Sequence, residues 1–210
     1  MEILDQLAEH LKAGNVEGVK ETTRRAIEEG VEPKLILDRG LLAGMSVIGA
    51  QFKRHEIFLP DVLLAAKAMY AGMDLLKPLL IKHGVATAGK VVIGTVQGDL
   101  HDIGKNLVAI LLKGAGFEVI DLGNDVSPQR FVETAKKERA DVIGMSALLT
   151  TTMPVMRRVV ELSKEDNGKT RIIVGGAPLS AEYAREIGAD AYCFDGVSAV
   201  EYVKKFIVRT

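Results

Sequence analysis

The residues with the most chemical content are an aspartate and a histidine two positions apart, Asp99 and His101, within Gln97-Gly98-Asp99-Leu100-His101-Asp102-Ile103-Gly104-Lys105-Asn106. A carboxylate beside an imidazole accepts a hydrogen bond from one ring nitrogen. That fixes the tautomer and raises the basicity of the other nitrogen, which suits a histidine that binds a metal. The triplet also reads as a solvated polar turn, with Asp102 as an N-cap or first-turn acid of the helix that follows. The segment contains neither a Gly-x-Gly-x-x-Gly fingerprint nor a Walker loop.

Two further stretches carry hydroxyls or lack bulk. Gly144-Met145-Ser146 runs into Ala147-Leu148-Leu149-Thr150-Thr151-Thr152-Met153-Pro154, whose hydroxyls can cap a helix or line a polar slot. Val174-Gly175-Gly176-Ala177-Pro178 is either a tight turn or a gap that lets a bulky ligand lie against the backbone.

The elements that must position these residues change character along the chain. Apolar positions Leu4, Leu7, Ala8 and Leu11, then Val16, Val19, Thr23, Ala26 and Ile27, recur at helical spacing. Pro33 opens a third helix with the face Leu37, Leu41, Met45, Ile48 and Phe52. Pro60 opens a fourth with the face Leu63, Ala66, Met69 or Tyr70, Met73 and Leu76, which Pro78 kinks or ends. From Lys90-Val91-Val92-Ile93-Gly94-Thr95-Val96 onward, short β-branched runs alternate with amphipathic stretches. Strands are expected at 117–122, 141–146, 171–174 and 191–194, with helices at 106–113, 128–139, 153–165, 180–187 and 197–207.

The fold expected is therefore an all-α four-helix bundle over 1–88, followed by an α/β Rossmann-like, flavodoxin-like five-stranded parallel sheet over 89–210, with the boundary at 84–89. Loops after the carboxyl ends of such strands are where ligands bind. The three stretches above share that edge, so they are expected to line one cleft.

Bulk properties exclude several classes. The chain has 210 residues, 48% hydrophobic and 5% aromatic, and 27 basic against 28 acidic side chains leave a net charge of −1. No basic surface is implied for nucleic acid or an anionic membrane. A single cysteine, Cys193, excludes a disulfide framework or a thiolate cage. The opening Met1-Glu2-Ile3-Leu4-Asp5 has no secretory character, and apolar stretches look too short to span a bilayer, so a soluble cytoplasmic protein is expected.

The constellation resembles the B12-binding domain of corrinoid proteins and of cobalamin-dependent methionine synthase. The family's Asp-x-His-x-x-Gly, Ser-x-Leu and Gly-Gly pattern stands here as Asp99, His101 and Gly104, then Ser146 and Leu148, then Gly175 and Gly176. Phe52 followed by Ile57-Phe58-Leu59-Pro60 is similar to the helical cap that precedes this domain, so the resemblance covers nearly the whole chain.

The resemblance implies a cobalamin cofactor, a cobalt corrinoid bound base-off, with His101 as the metal ligand and Asp99 bonded to its imidazole. Thr152 stands where the family often has a third, serine, relay member. Asp102, Ile103 and Gly104 would border the cofactor. Ser146, Leu148 and Thr150 would contact its nucleotide tail, for which Gly175, Gly176 and Ala177 leave room, and Phe52 and Leu59 would shield the methyl-bearing face. The implied activity is that of a non-catalytic subunit, a methyl carrier cycling between Co(I) and methyl-Co(III). Its partners would be a substrate methyltransferase, a second, folate- or thiol-directed methyltransferase and a reductive activation protein. A B12-dependent sensor or regulator, a flavodoxin-like or receiver domain, and a mutase small subunit are the competing readings.

Overall fold

A computed structural model describes residues 2–85, 87–165 and 169–207, and the chain divides into two units, one through residue 86 and one from Thr87. The expected boundary at 84–89 includes Ala86, and the expected outer limits include Met1 and Thr210. These three residues lie outside the described ones.

In the first unit, helix α1 (Ile3–Lys12) buries Leu4, Leu7 and Leu11. Helix α2 (Val16–Glu28) follows at once because Asn15 caps it, its side chain accepting from Gly18 N–H at 2.9 Å. Helix α3 is a continuous run, Pro33–Lys53, entered at Pro33. Its stretch Ile36–Leu42 is wound as a π-helix, and that wider turn carries the buried face from Ile36 to Leu41, five residues on. The expected face began at Leu37, which is only half-buried. Helix α4 (Leu59–Lys82) starts where Asp61 Oδ2 accepts from Phe58 N–H at 2.8 Å, and it runs through Pro78 rather than ending there.

Helix α4 corrects the expected face. It buries Val62, Ala65, Ala66, Ala68, Met69, Gly72, Leu76 and Leu80, and leaves Leu63 46% exposed. Small side chains set this register. A Cβ on Gly72 would stand 2.9 Å from Leu41 Cδ2 and 3.0 Å from Val19 Cγ1, so the missing side chain lets α2 and α3 pack closely on α4 there. The expectation about apolar length also needs amending. By length and composition α3 is apolar enough to cross a membrane, although Ile36, Leu41, Met45 and Ile48 on it belong to the core of this unit.

The second unit is an all-parallel, five-stranded sheet in the order β2-β1-β3-β4-β5. Its strands are β1 (Lys90–Thr95), β2 (Glu118–Asp121), β3 (Val142–Ser146), β4 (Arg171–Gly175) and β5 (Ala191–Cys193). Between them run α5 (Ile103–Gly114), α6 (Pro128–Glu138), α7 (Met153–Glu165) and α8 (Ala181–Ile187), and α9 (Gly196–Ile207) closes the chain. The β-branched runs are buried on both faces, as a sheet covered on two sides requires.

One face packs Val92, Ile143, Met145 and Val174 against Phe131, Met156 and Val160 of α6 and α7. The other packs Val91, Val142 and Ile173 against Leu112 of α5 and Val203 of α9. Helix α5 begins three residues earlier than the sequence suggests, which puts Ile103 and Gly104 in its first turn. The strand order reverses between β1 and β3. The loops leaving their carboxyl ends therefore bound the crevice at a topological switch point.

Candidate functional site

Strands β1 and β3 are neighbours, with Thr95 opposite Ser146 in register. Their next residues, 97–102 and 147–152, therefore emerge side by side. Asp99 lies between the two loops and is fully buried. Its Oδ1 accepts from His101 N–H at 3.0 Å and stands 2.7 Å from His101 Nδ1. Its Oδ2 accepts from Leu148 N–H at 2.7 Å, from Leu149 N–H at 3.3 Å and from the Thr152 hydroxyl at 3.1 Å.

Burial pushes the Asp99 carboxyl up. The hydrogen bonds from Leu148, from His101 backbone and ring, and from Thr152 outweigh it and hold the group well below the usual carboxylate range. An ionised carboxylate only accepts, so Nδ1 of His101 carries the proton and donates it. Nε2 is then the ring nitrogen that faces away from Asp99 and is available to another partner. The imidazole itself is 54% exposed, and Thr95, buried at the end of β1, donates from its hydroxyl to the His101 carbonyl at 3.0 Å.

The structure thus brings Asp99, His101, Leu148 and Thr152 together. Asp102 stands at the N-cap position of α5, as the sequence allows, with its carbonyl accepting from Asn106 N–H at 2.8 Å but no side-chain cap bond. Ser146 ends β3 half-buried, opposite Gly175, and Thr150 is exposed in the turn before α7. Gly175, Gly176 and the exposed Ala177 follow along β4. Phe52 and Leu59 lie in the first unit, both half-buried, at the end of α3 and the start of α4.

The glycines differ in why they are glycines. A Cβ on Gly176 would stand 1.9 Å from the Ala147 carbonyl oxygen, and its φ is +135°, so the chain's own packing requires glycine there whatever binds. A Cβ on Gly104 would meet nothing within 4 Å. The space over that position is open.

Leu100, Leu149 and Phe194 shape this edge and escape a reading of the sequence. With Ile103 and Leu148, which the resemblance had implied, they are large, apolar and exposed, Phe194 at 82%, and all follow strand ends. Apolar side chains inside otherwise polar loops were the available signal. Thr95 gave no signal beyond a hydroxyl at a strand end.

Among the described residues no group of three or more His, Cys, Asp or Glu side chains is placed to hold a metal ion. A metal at His101 must therefore bring its other ligands with it. An exposed imidazole with Nε2 available, an open Gly104 and an apolar rim fit a large, planar, metal-bearing macrocycle.

The doubly wound sheet with this imidazole at its switch point, preceded by a helical unit, defines a cofactor-binding protein of the metal-macrocycle class. Family models described as B12 binding domain match residues 89–204 and, separately, residues 3–77. A corrinoid protein of Desulfitobacterium hafniense is 40% identical over 99% of this chain and 98% of its own length. A dimethylamine corrinoid protein of Methanosarcina barkeri is 42% identical over 98% of each. Among solved structures, a methanol:cobalamin methyltransferase complex from Methanosarcina barkeri matches with a TM-score of 0.91 at 30% identity, covering 99% of this chain and 80% of that one. The chain belongs to the B12-binding family, and its cofactor is a cobalamin-type corrinoid.

Proposed function

We propose that this chain is a corrinoid methyl carrier that passes a methyl group from a substrate methyltransferase to an acceptor methyltransferase. The observation that carries the reading is the pairing of an exposed His101 imidazole with a fully buried, ionised Asp99. A bound corrinoid supplies a cobalt centre that takes up and releases a methyl group. His101 would hold the metal through Nε2, with Asp99 holding the ring in the required tautomer. Thr152 donates to the carboxylate and keeps it oriented.

The remaining assignments extend the same reading. Asp102, Ile103 and Gly104 border the macrocycle. Ser146, Leu148 and Thr150 receive its nucleotide tail beside Gly175, Gly176 and Ala177. Residues 1–88 act as the cap domain and 89–210 as the corrinoid domain, with Phe52 and Leu59 assigned to shielding the methyl-bearing face. The relatives named for dimethylamine and the complex named for methanol support a substrate-directed methyltransferase as partner. A folate- or thiol-directed methyltransferase, a reductive activation protein and a cytoplasmic setting complete the proposal.

The test is to load the chain and its His101→Asn variant with cobalamin and record the electron paramagnetic resonance spectrum of the Co(II) form. The wild type should show splitting from one imidazole nitrogen, and the variant should lose it. An unchanged spectrum in the variant would overturn the assignment. Methyl uptake from a methylated donor should require a corrinoid-directed methyltransferase added in trans, and uptake without one would make the chain an enzyme in its own right.

A further inference from the structure

Between β2 and α6 the chain runs Gly123-Asn124-Asp125-Val126, and this segment grips the backbone on either side of the Asp99 Cα. Asp125 Oδ1 accepts from Gly98 N–H at 2.7 Å, and Asp125 N–H donates to the Asp99 carbonyl at 3.1 Å. The two bonds form a reciprocal clasp on residues 98 and 99. Asp125 makes it from φ +52°, a left-handed conformation uncommon for a residue with a side chain and best tolerated by Asp and Asn.

The clasp is itself braced. Thr95 N–H donates to the Gly123 carbonyl at 2.9 Å, and Val126 N–H to the Thr95 carbonyl at 3.0 Å. Asp121 Oδ1 accepts from Gly123 N–H at 2.9 Å and from Lys105 Nζ at 2.6 Å, which ties the end of β2 to the first turn of α5. The 97–102 loop is thus held from two sides. The 148–152 turn holds the Asp99 carboxylate, and Asp125 holds the backbone that carries it. A half-exposed imidazole has little packing of its own, so its aim follows from where Asp99 stands.

We infer that Asp125 is a positioning residue for the His101–Asp99 pair, fixing the 98–99 backbone so that the imidazole keeps its aim at a bound metal. The inference rests on the reading of His101 as the metal ligand. Asp125 acts on the pair through these two main-chain bonds rather than through the imidazole or the Asp99 carboxylate.

Two variants separate the clasp from the turn. Asp125→Gly keeps the left-handed backbone and removes only the acceptor. Asp125→Asn keeps both an acceptor oxygen and the left-handed preference. Each is loaded with cobalamin, and the fraction of Co(II) carrying imidazole-nitrogen splitting is compared with wild type and with His101→Asn. The glycine variant should shift the equilibrium away from the imidazole-bound form by about tenfold, the size of one charge-assisted hydrogen bond, and the asparagine variant should stay near wild type. A wild-type spectrum in Asp125→Gly, or equal loss in both variants, would overturn the clasp. If wild type already matches His101→Asn, the ligand assignment itself fails, and this inference falls with it.

Discussion

The hydroxyl of Thr152 stands 3.1 Å from Asp99 Oδ2 and 2.9 Å from the Leu149 carbonyl, so its single proton has two acceptors within reach. It also closes a ring, since Leu149 N–H donates to the same Oδ2. The 149–152 turn and the buried carboxylate therefore hold each other in place. Replacing Thr152 by Val keeps the shape and removes the proton. Unfolding of the corrinoid-free chain should lose about 1–3 kcal/mol, while Thr152→Ser should keep most of it. Urea unfolding of the three proteins measures both, and a Val variant as stable as wild type would show that the hydroxyl is not needed.

The Asp99 carboxyl gives an acid limb with a definite sign. Its folded value lies below the ordinary carboxylate value, so its contribution is complete above that ordinary value, around pH 4, and is lost as the pH falls through the folded one. Asp99→Asn should be less stable at neutral pH, yet lose stability less steeply on acidification. The difference in slope should approach about 1.4 kcal/mol per pH unit in the region where only the unfolded state binds the proton. Parallel slopes for variant and wild type between pH 5 and about 2 would contradict the assignment.

Gly104 and Gly176 should respond in opposite ways to the same added methyl. Gly176→Ala places a Cβ against the Ala147 carbonyl at a backbone angle that alanine avoids, so the corrinoid-free protein should be destabilised by several kcal/mol or fail to fold. Gly104→Ala meets open space within a helix and should leave the free protein as stable, or about 0.5–1 kcal/mol more so. Its cost should appear only as weaker cobalamin binding. Thermal unfolding and a cobalamin titration together decide the pair.

Lys105 is buried to 2% side-chain exposure, whereas its partner Asp121 keeps 33%. Breaking the pair is therefore asymmetric. Asp121→Ala leaves the buried ammonium with only the neutral Asn106 Oδ1, 2.6 Å away, and should cost about 3 kcal/mol. Lys105→Met leaves Asp121 a route to water and should cost clearly less. Equal losses in chemical denaturation would count against this difference in burial.

Cys193 ends β5 inside the core, where burial first and the charge of Asp195 second push its thiol up to about 12. Only the thiolate reacts with an alkylating agent. Labelling by iodoacetamide at pH 8 should be slow in the native protein and should track global unfolding in denaturant. Rapid native labelling would mean that the β5 edge opens locally.

The alternation of elements was legible because the chain keeps helical spacing up to about residue 82 and then switches between short β-branched runs and amphipathic helical stretches. Asp99 and His101 were legible because they lie two residues apart, close enough for their chemistry to be read as a unit. Ala66, Met69 and Leu76 of the expected α4 face are buried, but its start was misplaced at Leu63 because Leu63 and Leu64 are apolar yet exposed. A continuous apolar run has no single period, and the packing of the other helices on α4, close at Gly72, turned Val62 inward instead.

By itself, then, the sequence determined the two kinds of unit, the residue types at the strand ends and the local imidazole–carboxylate pair. All of these depend on spacings of a few residues. The tertiary structure decided the rest. It placed β1 between β2 and β3, which brought Leu148 and Thr152 from about fifty residues away onto Asp99, and Asp125 from 27 residues away onto Gly98. Burial and ionisation of Asp99 follow from donors that different strands supply. Strand order is set by how the whole sheet buries its two faces, and no local pattern records that choice.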